Sequence, residues 1–146
     1  MRISKNFEMR EFAVSASFPH LVNPVPEMYM QNVIALVERV LQPICDETGW
    51  HDEITSGYRS PMLNRAVGGS KTSQHMRGEA ADNIFFFKRN GKRVNVESYF
   101  VAKQVLNMGL DFDQMILYNT FVHISYSRYR NRKQLLYDRR YRGKRI

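Results

Sequence analysis

The chain has 146 residues, of which 43% are hydrophobic and 12% aromatic, and its formal net charge is +8. This length suits one ordinary domain with its own core, and the composition excludes a disordered chain. No apolar run is long enough to cross a bilayer, and Met1 to Phe12 lacks a signal-peptide core. We therefore expect a protein made in the cytoplasm, which would reach the outside only after release or inside a carrier particle.

The N-terminal region predicts a short helix followed by an irregular loop. Asn6 is a plausible helix cap, and Phe7, Met9 and Phe12 are available for burial. Three prolines within residues 19–26 indicate the loop.

The strongest helical pattern comes next, because apolar residues recur at three- and four-residue spacing. They are Met30, Val33, Ile34, Val37, Val40, Leu41 and Ile44. Pro43 is expected to end or kink this helix near Gln42, since proline lacks a backbone donor and clashes with the preceding turn.

The middle of the chain changes to strand-like patterns. A short strand is predicted at 53–57, a brief helix at 63–66 and a polar loop at 68–73. Residues 80–87 suit a buried strand, and Asn90-Gly91 is a hairpin turn signal.

A second amphipathic helix is predicted at 96–108, followed by strands at 112–118 and 121–126. Its expected apolar face consists of Phe100, Val101, Val105 and Leu106. Helices come mainly first and strands later, which predicts a single α+β domain with N-terminal helices packed on a central antiparallel sheet.

The last residues are strongly basic. From Arg128 to Arg145 there are nine Lys or Arg residues against one acid, Asp138. We therefore divide the chain into a domain of residues 1–127 and a basic C-terminal tail of residues 128–146. Such a tail would attract a polyanion such as nucleic acid or teichoic acid, or would simply be solvated. Its tyrosines could stack on bases or sugars, or could dock the tail onto the domain; they are Tyr126, Tyr129, Tyr137 and Tyr141.

Two of the four histidines have a setting that suits metal binding. His75 follows the polar loop and precedes Asp82, which interrupts an apolar strand, and His123 lies on a second apolar strand. A buried carboxylate needs a metal or another partner, and zinc accepts histidine and carboxylate ligands. The alternative is two hydrogen-bonded core histidines and a salt-bridged aspartate. His20 and His51 are interpreted as surface or packing residues.

Several segments resemble the M15 zinc peptidases, the D-Ala-D-Ala carboxypeptidase and dipeptidase group. Residues 73–82, SQHMRGEAAD, match every fixed position of the signature S-x-H-x-x-G-x-A-x-D. Residues 56–60 are similar to the family segment S-G-Y-R-S, and 112–116 and 122–125 resemble its F-D-Q-L-I and V-H-V-S elements. The likeness extends over roughly 7–136, and 130–134 resembles small phage and Bacteroidetes members.

This resemblance implies the D-Ala-D-Ala peptidase architecture, which is hedgehog-like, and a single zinc ion. His75, Asp82 and His123 would be its ligands, with water in the fourth position. Arg59 would face the substrate and the developing oxyanion, since a guanidinium suits a carboxylate or an oxyanion. Ser73 and Gln114 would shape the site.

One departure concerns the general base. Family members carry a carboxylate shortly before the last histidine, where this chain has no acid. Tyr118 stands in place of the family Glu, and Phe121 in place of the usual Trp. Asp113 or Glu79 could substitute as base, although neither has an assured orientation toward the metal.

Three functional hypotheses follow from these observations. The first is a zinc-dependent peptidase that cleaves the peptide stems of bacterial peptidoglycan, as a D,D-carboxypeptidase or an endopeptidase, in a phage-lysin setting. The second is a non-catalytic zinc-binding domain with a wall-binding or virion structural role. The third is nucleic-acid binding through the basic tail.

Overall fold

The computed structural model describes residues 1–146 and begins with a two-stranded antiparallel hairpin. Its parts are β1 (Arg2–Ser4) and β2 (Phe7–Glu8), followed by a 3-10 turn (Met9–Phe12). The predicted opening helix capped by Asn6 is therefore wrong. The backbone N–H of Asn6 donates to the side-chain oxygen of Gln42, which fixes this residue in the hairpin turn. Phe7 and Phe12 are fully buried, as the sequence predicts.

The long helical pattern forms two helices joined by a π turn. They are α1 (Glu27–Leu36), the π turn (Val37–Leu41) and α2 (Gln42–Thr48). Pro43 does not end the helix, because the wider π turn in front of it shifts the hydrogen bonding, and the N–H of Gln42 donates to the carbonyl of Val37. The helix ends at Gly49, whose φ of 75° closes it in the left-handed region.

A six-stranded mixed sheet forms the second half of the fold. Its strands are β3 (His51–Ser56), β4 (Ala80–Arg89), β5 (Lys92–Asn95), β6 (Gln114–Leu117), β7 (Val122–Ser125) and β8 (Gln134–Tyr137). The order is β3-β4-β7-β6-β8, and β5 pairs with the far end of β4. The α+β class is confirmed, and the sheet is antiparallel except that β8 joins β6 in parallel.

Two further helices complete the fold. They are α3 (Pro61–Ala66) and α4 (Ser98–Asn107). The buried face of α4 runs along the 98, 101, 102 and 105 positions, so the predicted face is wrong at Phe100 and Leu106, which are 53% and 41% exposed. None of the helices has the length and apolar character that crossing a membrane requires.

The basic C-terminal segment is attached to the domain. Besides β8, it contributes Tyr141, which is only 7% exposed and whose ring lies 5.4 Å from that of Tyr137. Tyr129 is 84% exposed. Tyr137 and Tyr141 therefore pack the C-terminal segment onto the domain, whereas Tyr129 faces solvent.

Candidate metal centre

Three side chains from different elements converge in one cleft. His75 lies in the 3-10 turn Gln74–Arg77, while Asp82 and His123 are directly opposed on β4 and β7. One ligand atom of each residue lies within 4.8 Å of the others. The structure thus brings together the three residues that the sequence predicts as metal ligands.

The orientation of His75 is fixed by the backbone of Gly57. The ring Nδ1 lies 2.8 Å from the carbonyl oxygen of Gly57, which only accepts, so Nδ1 carries the proton. A side chain at position 57 would collide with the backbone of Phe12, so only glycine at this position lets the two backbone segments lie this close together. His75 therefore presents its Nε2 to the cleft.

The geometry around Asp82 suits a cation. Its Oδ1 lies 3.3 Å from Nε2 of His75 and 3.0 Å from Nδ1 of His123. Nε2 of His75 is buried without a hydrogen-bond partner. If this nitrogen carries no proton, two lone pairs face each other, which is unfavourable unless a cation lies between them.

The pKa shifts indicate the protonation states that such a site needs. Burial lowers the pKa of His75, against the opposing effect of Asp82, and so favours the neutral ring. Burial alone would raise the pKa of Asp82, but His75 and His123 outweigh it and hold that pKa below its usual range. A neutral imidazole and an ionised carboxylate are the forms that bind zinc.

Arg59 forms the wall of the cleft beside Asp82. Its Nη2 lies 3.5 Å from Oδ2 of Asp82, and its other nitrogens donate to Ser56 at 3.2 Å and Asn64 at 3.3 Å. Burial lowers the pKa of Arg59 and Asp82 opposes that effect, but a guanidinium stays charged at neutral pH. The cleft therefore holds a fixed positive charge next to the three candidate ligands.

The family model for peptidase M15 matches residues 5–125, which is most of the chain. The chain belongs to the peptidase M15 family. No curated protein matches the sequence significantly. The family assignment confirms the resemblance found in the sequence and supports a peptidase that acts on peptidoglycan-like substrates. M15 peptidases are typically zinc-dependent, and the donor set of two histidines and one aspartate fits that metal.

The cleft of this M15 chain has a volume of about 670 Å³ and is lined almost entirely by polar side chains. Ser73 and Gln114 both line it, as the sequence predicts. The hydroxyl of Ser73 accepts a hydrogen bond from the backbone N–H of His75 at 3.2 Å and so caps the turn that carries this candidate ligand. Gln114 donates to Gln134 of β8 at 2.7 Å.

The two acids predicted as substitute bases are both engaged elsewhere. Asp113 lines the cleft but accepts two side-chain hydrogen bonds of 2.9 Å from Arg132, which lower the pKa of its carboxyl group. Glu79 does not line this cleft and accepts from Arg77 at 3.0 Å. The cleft thus contains no carboxylate without a partner.

Tyr118 lines the cleft, with its ring stacked on Phe121 at a centroid distance of 4.2 Å. Burial, followed by the charge of Asp82, raises the pKa of its hydroxyl, which therefore stays protonated at neutral pH. The side chain at the place of the family Glu can donate a hydrogen bond but cannot take up a proton.

From the sequence alone, no site role is assigned to Arg132, which lines the cleft, or to Asn64, which contacts the cleft residue Arg59. Arg132 was grouped with the basic tail, and only the resemblance of 130–134 to family members pointed to a role in the domain. Asn64 accepts a hydrogen bond from Arg59 at 3.3 Å and donates to the carbonyl oxygen of Ser70 at 2.8 Å, so it orients Arg59 without lining the cleft itself.

Proposed function

We propose that this protein is a zinc-dependent peptidase that cleaves the peptide stems of bacterial peptidoglycan, as a D,D-carboxypeptidase or as an endopeptidase. The observation that carries the proposal is the Nε2 of His75, buried and without a partner, facing an ionised Asp82 and the ring of His123. A cation between these atoms would satisfy them, and membership of the M15 family makes zinc the expected one.

His75, Asp82 and His123 would hold the ion through Nε2, a carboxylate oxygen and Nδ1. Zinc supplies Lewis-acid polarisation of a carbonyl and a lowered pKa of water. Arg59 is placed to bind a substrate carboxylate or the oxyanion that develops during attack. Tyr118, which also lines the cleft, can donate a hydrogen bond there, and Ser73 holds the turn that carries His75.

Action at the cell wall follows from this substrate. We include in the proposal that the protein reaches the wall after release from the producing cell, as a phage lysin does, or inside a phage particle. The basic C-terminal segment would favour contact with anionic wall polymers.

A second candidate is a zinc-binding domain without catalysis, in a wall-binding or virion structural role. It is favoured by the engagement of Asp113 with Arg132 and the position of Glu79 outside the cleft. Loss of a general base typically reduces a rate by about 10²–10⁴-fold.

The test is mass spectrometry of peptidoglycan fragments after incubation with zinc-loaded protein, with a chelated sample and His75→Ala as controls. New stem fragments that disappear in both controls are expected, and their masses name the bond cleaved. An unchanged fragment profile from folded, zinc-loaded protein would replace the peptidase with the non-catalytic candidate.

A further inference from the structure

A second cavity, of about 350 Å³, lies beside the candidate metal cleft. We name it the side cavity; it is lined by Gln74, Arg77, Glu79, Asp113, Ser127, Arg130 and Arg132. Gln74, Arg77, Asp113 and Arg132 also line the metal cleft. Because the two cavities share this wall, a peptide bound over the metal site can extend into the side cavity.

The side cavity has one positive charge without a counter-charge. Arg77 pairs with Glu79 at 3.0 Å, and Arg132 pairs with Asp113 at 2.9 Å. The guanidinium of Arg130 has neither an ion pair nor a hydrogen bond in the structure, and only its backbone N–H is engaged, with Ser127 at 3.3 Å. An anionic group entering the cavity would therefore be attracted chiefly to Arg130.

The loop that carries Arg130 is held in place. Ser127 and Asn131 form two reciprocal hydrogen bonds of 2.9 Å, and the hydroxyl of Ser127 also accepts the N–H of Tyr129 at 3.1 Å. Directly after the loop, Arg132 is bound to Asp113. The backbone around Arg130 is thus ordered before any ligand arrives, which lowers the entropic cost of binding.

We propose that the side cavity binds an interior carboxylate of the peptide stem, with Arg130 as its main contact. A planar guanidinium suits a carboxylate, and peptidoglycan stems carry this group either free or as a carboxamide. The inference rests on the proposed peptidase function and adds to it a preference for free carboxylates. Ser127, Arg130 and Arg132 lie beyond the residues matched by the family model, so the C-terminal segment supplies this selectivity.

The experiment compares two stem peptides that differ only in one interior carboxylate or carboxamide, titrated calorimetrically into the zinc-loaded full chain. The wild type is expected to bind the carboxylate peptide about threefold to tenfold more tightly, since the contact is solvent-accessible. Arg130→Gln should bring the ratio of the two affinities close to one, with the larger loss on the carboxylate peptide. Arg139→Gln is the matched control, because Arg139 is an exposed arginine of the same segment outside both cavities.

Equal affinities of the wild type for both peptides would overturn the inference, as would an equal loss of preference in Arg139→Gln, which would mean a general charge effect. The same peptides separate this inference from the proposed function. If the protein binds the carboxylate peptide more tightly but hydrolyses neither peptide, the carboxylate site in the side cavity stands and the peptidase function is rejected. Hydrolysis and binding of both peptides with equal efficiency would retain the peptidase and reject the side cavity.

Discussion

At the scale of single residues, the cleft combines a complete set of candidate ligands with an unusual wall. Tyr118 stands where a proton acceptor is expected, and burial keeps its hydroxyl protonated by raising its pKa. Asp113, the nearest alternative within the cleft, already accepts three hydrogen bonds from Arg132. Under the proposed function, the rate of hydrolysis would depend on which group can take a proton from the attacking water.

We predict that Tyr118→Glu increases peptide hydrolysis, because it introduces a carboxylate into the wall of the cleft beside the candidate metal. A general base contributes about 10²–10⁴-fold, which sets the upper limit of the gain. The measurement is kcat/KM on a stem peptide, and Tyr118→Gln is the control of equal size that cannot act as a base. Equal rates for the Glu and Gln variants, both folded and zinc-loaded, would place the base elsewhere.

Asp52 lies outside the candidate metal cleft and affects the stability of the fold. It is 9% exposed, and neither of its carboxylate oxygens has a hydrogen-bond partner. Burial, with smaller contributions from Glu11 and Glu53, raises its pKa well above the usual value. The folded state therefore keeps a proton that the unfolded state releases, so this group makes stability fall as pH rises from about 4 toward the raised pKa.

We predict that Asp52→Asn raises the free energy of unfolding at pH 7 by about 1 kcal/mol or more and has no effect near pH 3, where both states are protonated. Urea unfolding at the two pH values measures this difference. Glu47→Gln, at an exposed position of α2, is the control for the loss of one negative charge. A gain of the same size at both pH values would show that the charge of Asp52 is not the cause.

At the scale of elements, the sequence predicts the positions of the long buried elements well. The helical stripe from Val33 to Ile44 is confirmed because burial of one side of a helix imposes a three- to four-residue period, and the strand at 80–87 is confirmed as a run whose first residues are buried on both faces. The N-terminal hairpin was not predictable, since its turn is fixed by Gln42 from a distant helix. The β8 strand was missed because flanking charges hide its short alternation, and its pairing with β6 is non-local.

In the candidate site, too, residues in local motifs were predictable and contacts between distant residues were not. His75 and Asp82 were predictable as candidates because they lie in one continuous motif with fixed spacing, and Arg59 because it lies in a second short family segment, residues 56–60. The pairing of Asp113 with Arg132 was not predictable, because Arg132 lies 19 residues away in a segment whose charge suggests a free tail. Local sequence thus indicates the candidate ligands, while the tertiary fold determines which acids remain available.

The C-terminal segment gives a prediction at the element scale. Tyr141 is buried against the core and donates its hydroxyl to the carbonyl of Lys144, whereas Tyr129 projects into solvent. We predict that Tyr141→Ala lowers the free energy of unfolding by about 2–4 kcal/mol, and that Tyr129→Ala changes it by less than about 0.5 kcal/mol. Chemical denaturation of both variants measures the difference. Equal effects would mean that residues after 128 are not part of the folded unit in solution.

At the scale of the whole molecule, the candidate ligands join one local segment, which carries His75 and Asp82, to the distant strand that carries His123. His75 comes from a turn between α3 and β4, and Asp82 and His123 come from adjacent strands that are 41 residues apart in sequence. An ion bound by all three would be present only in the folded state. Metal binding must then add to global stability, in proportion to the logarithm of the metal concentration above its dissociation constant.

We predict that zinc at about 100 times its dissociation constant stabilises the fold by about 2.7 kcal/mol, which corresponds to a rise in Tm of about 5–10 °C for a chain of this size. The measurement is thermal unfolding with zinc and with a chelator. His75→Ala should abolish the difference, whereas His51→Ala should keep it, because the His51 ring packs on Phe86 away from the cleft. Since folding alone reports this effect, it is independent of catalysis. If the Tm of the wild type does not respond to zinc, the candidate site does not bind zinc, even if the protein hydrolyses peptides.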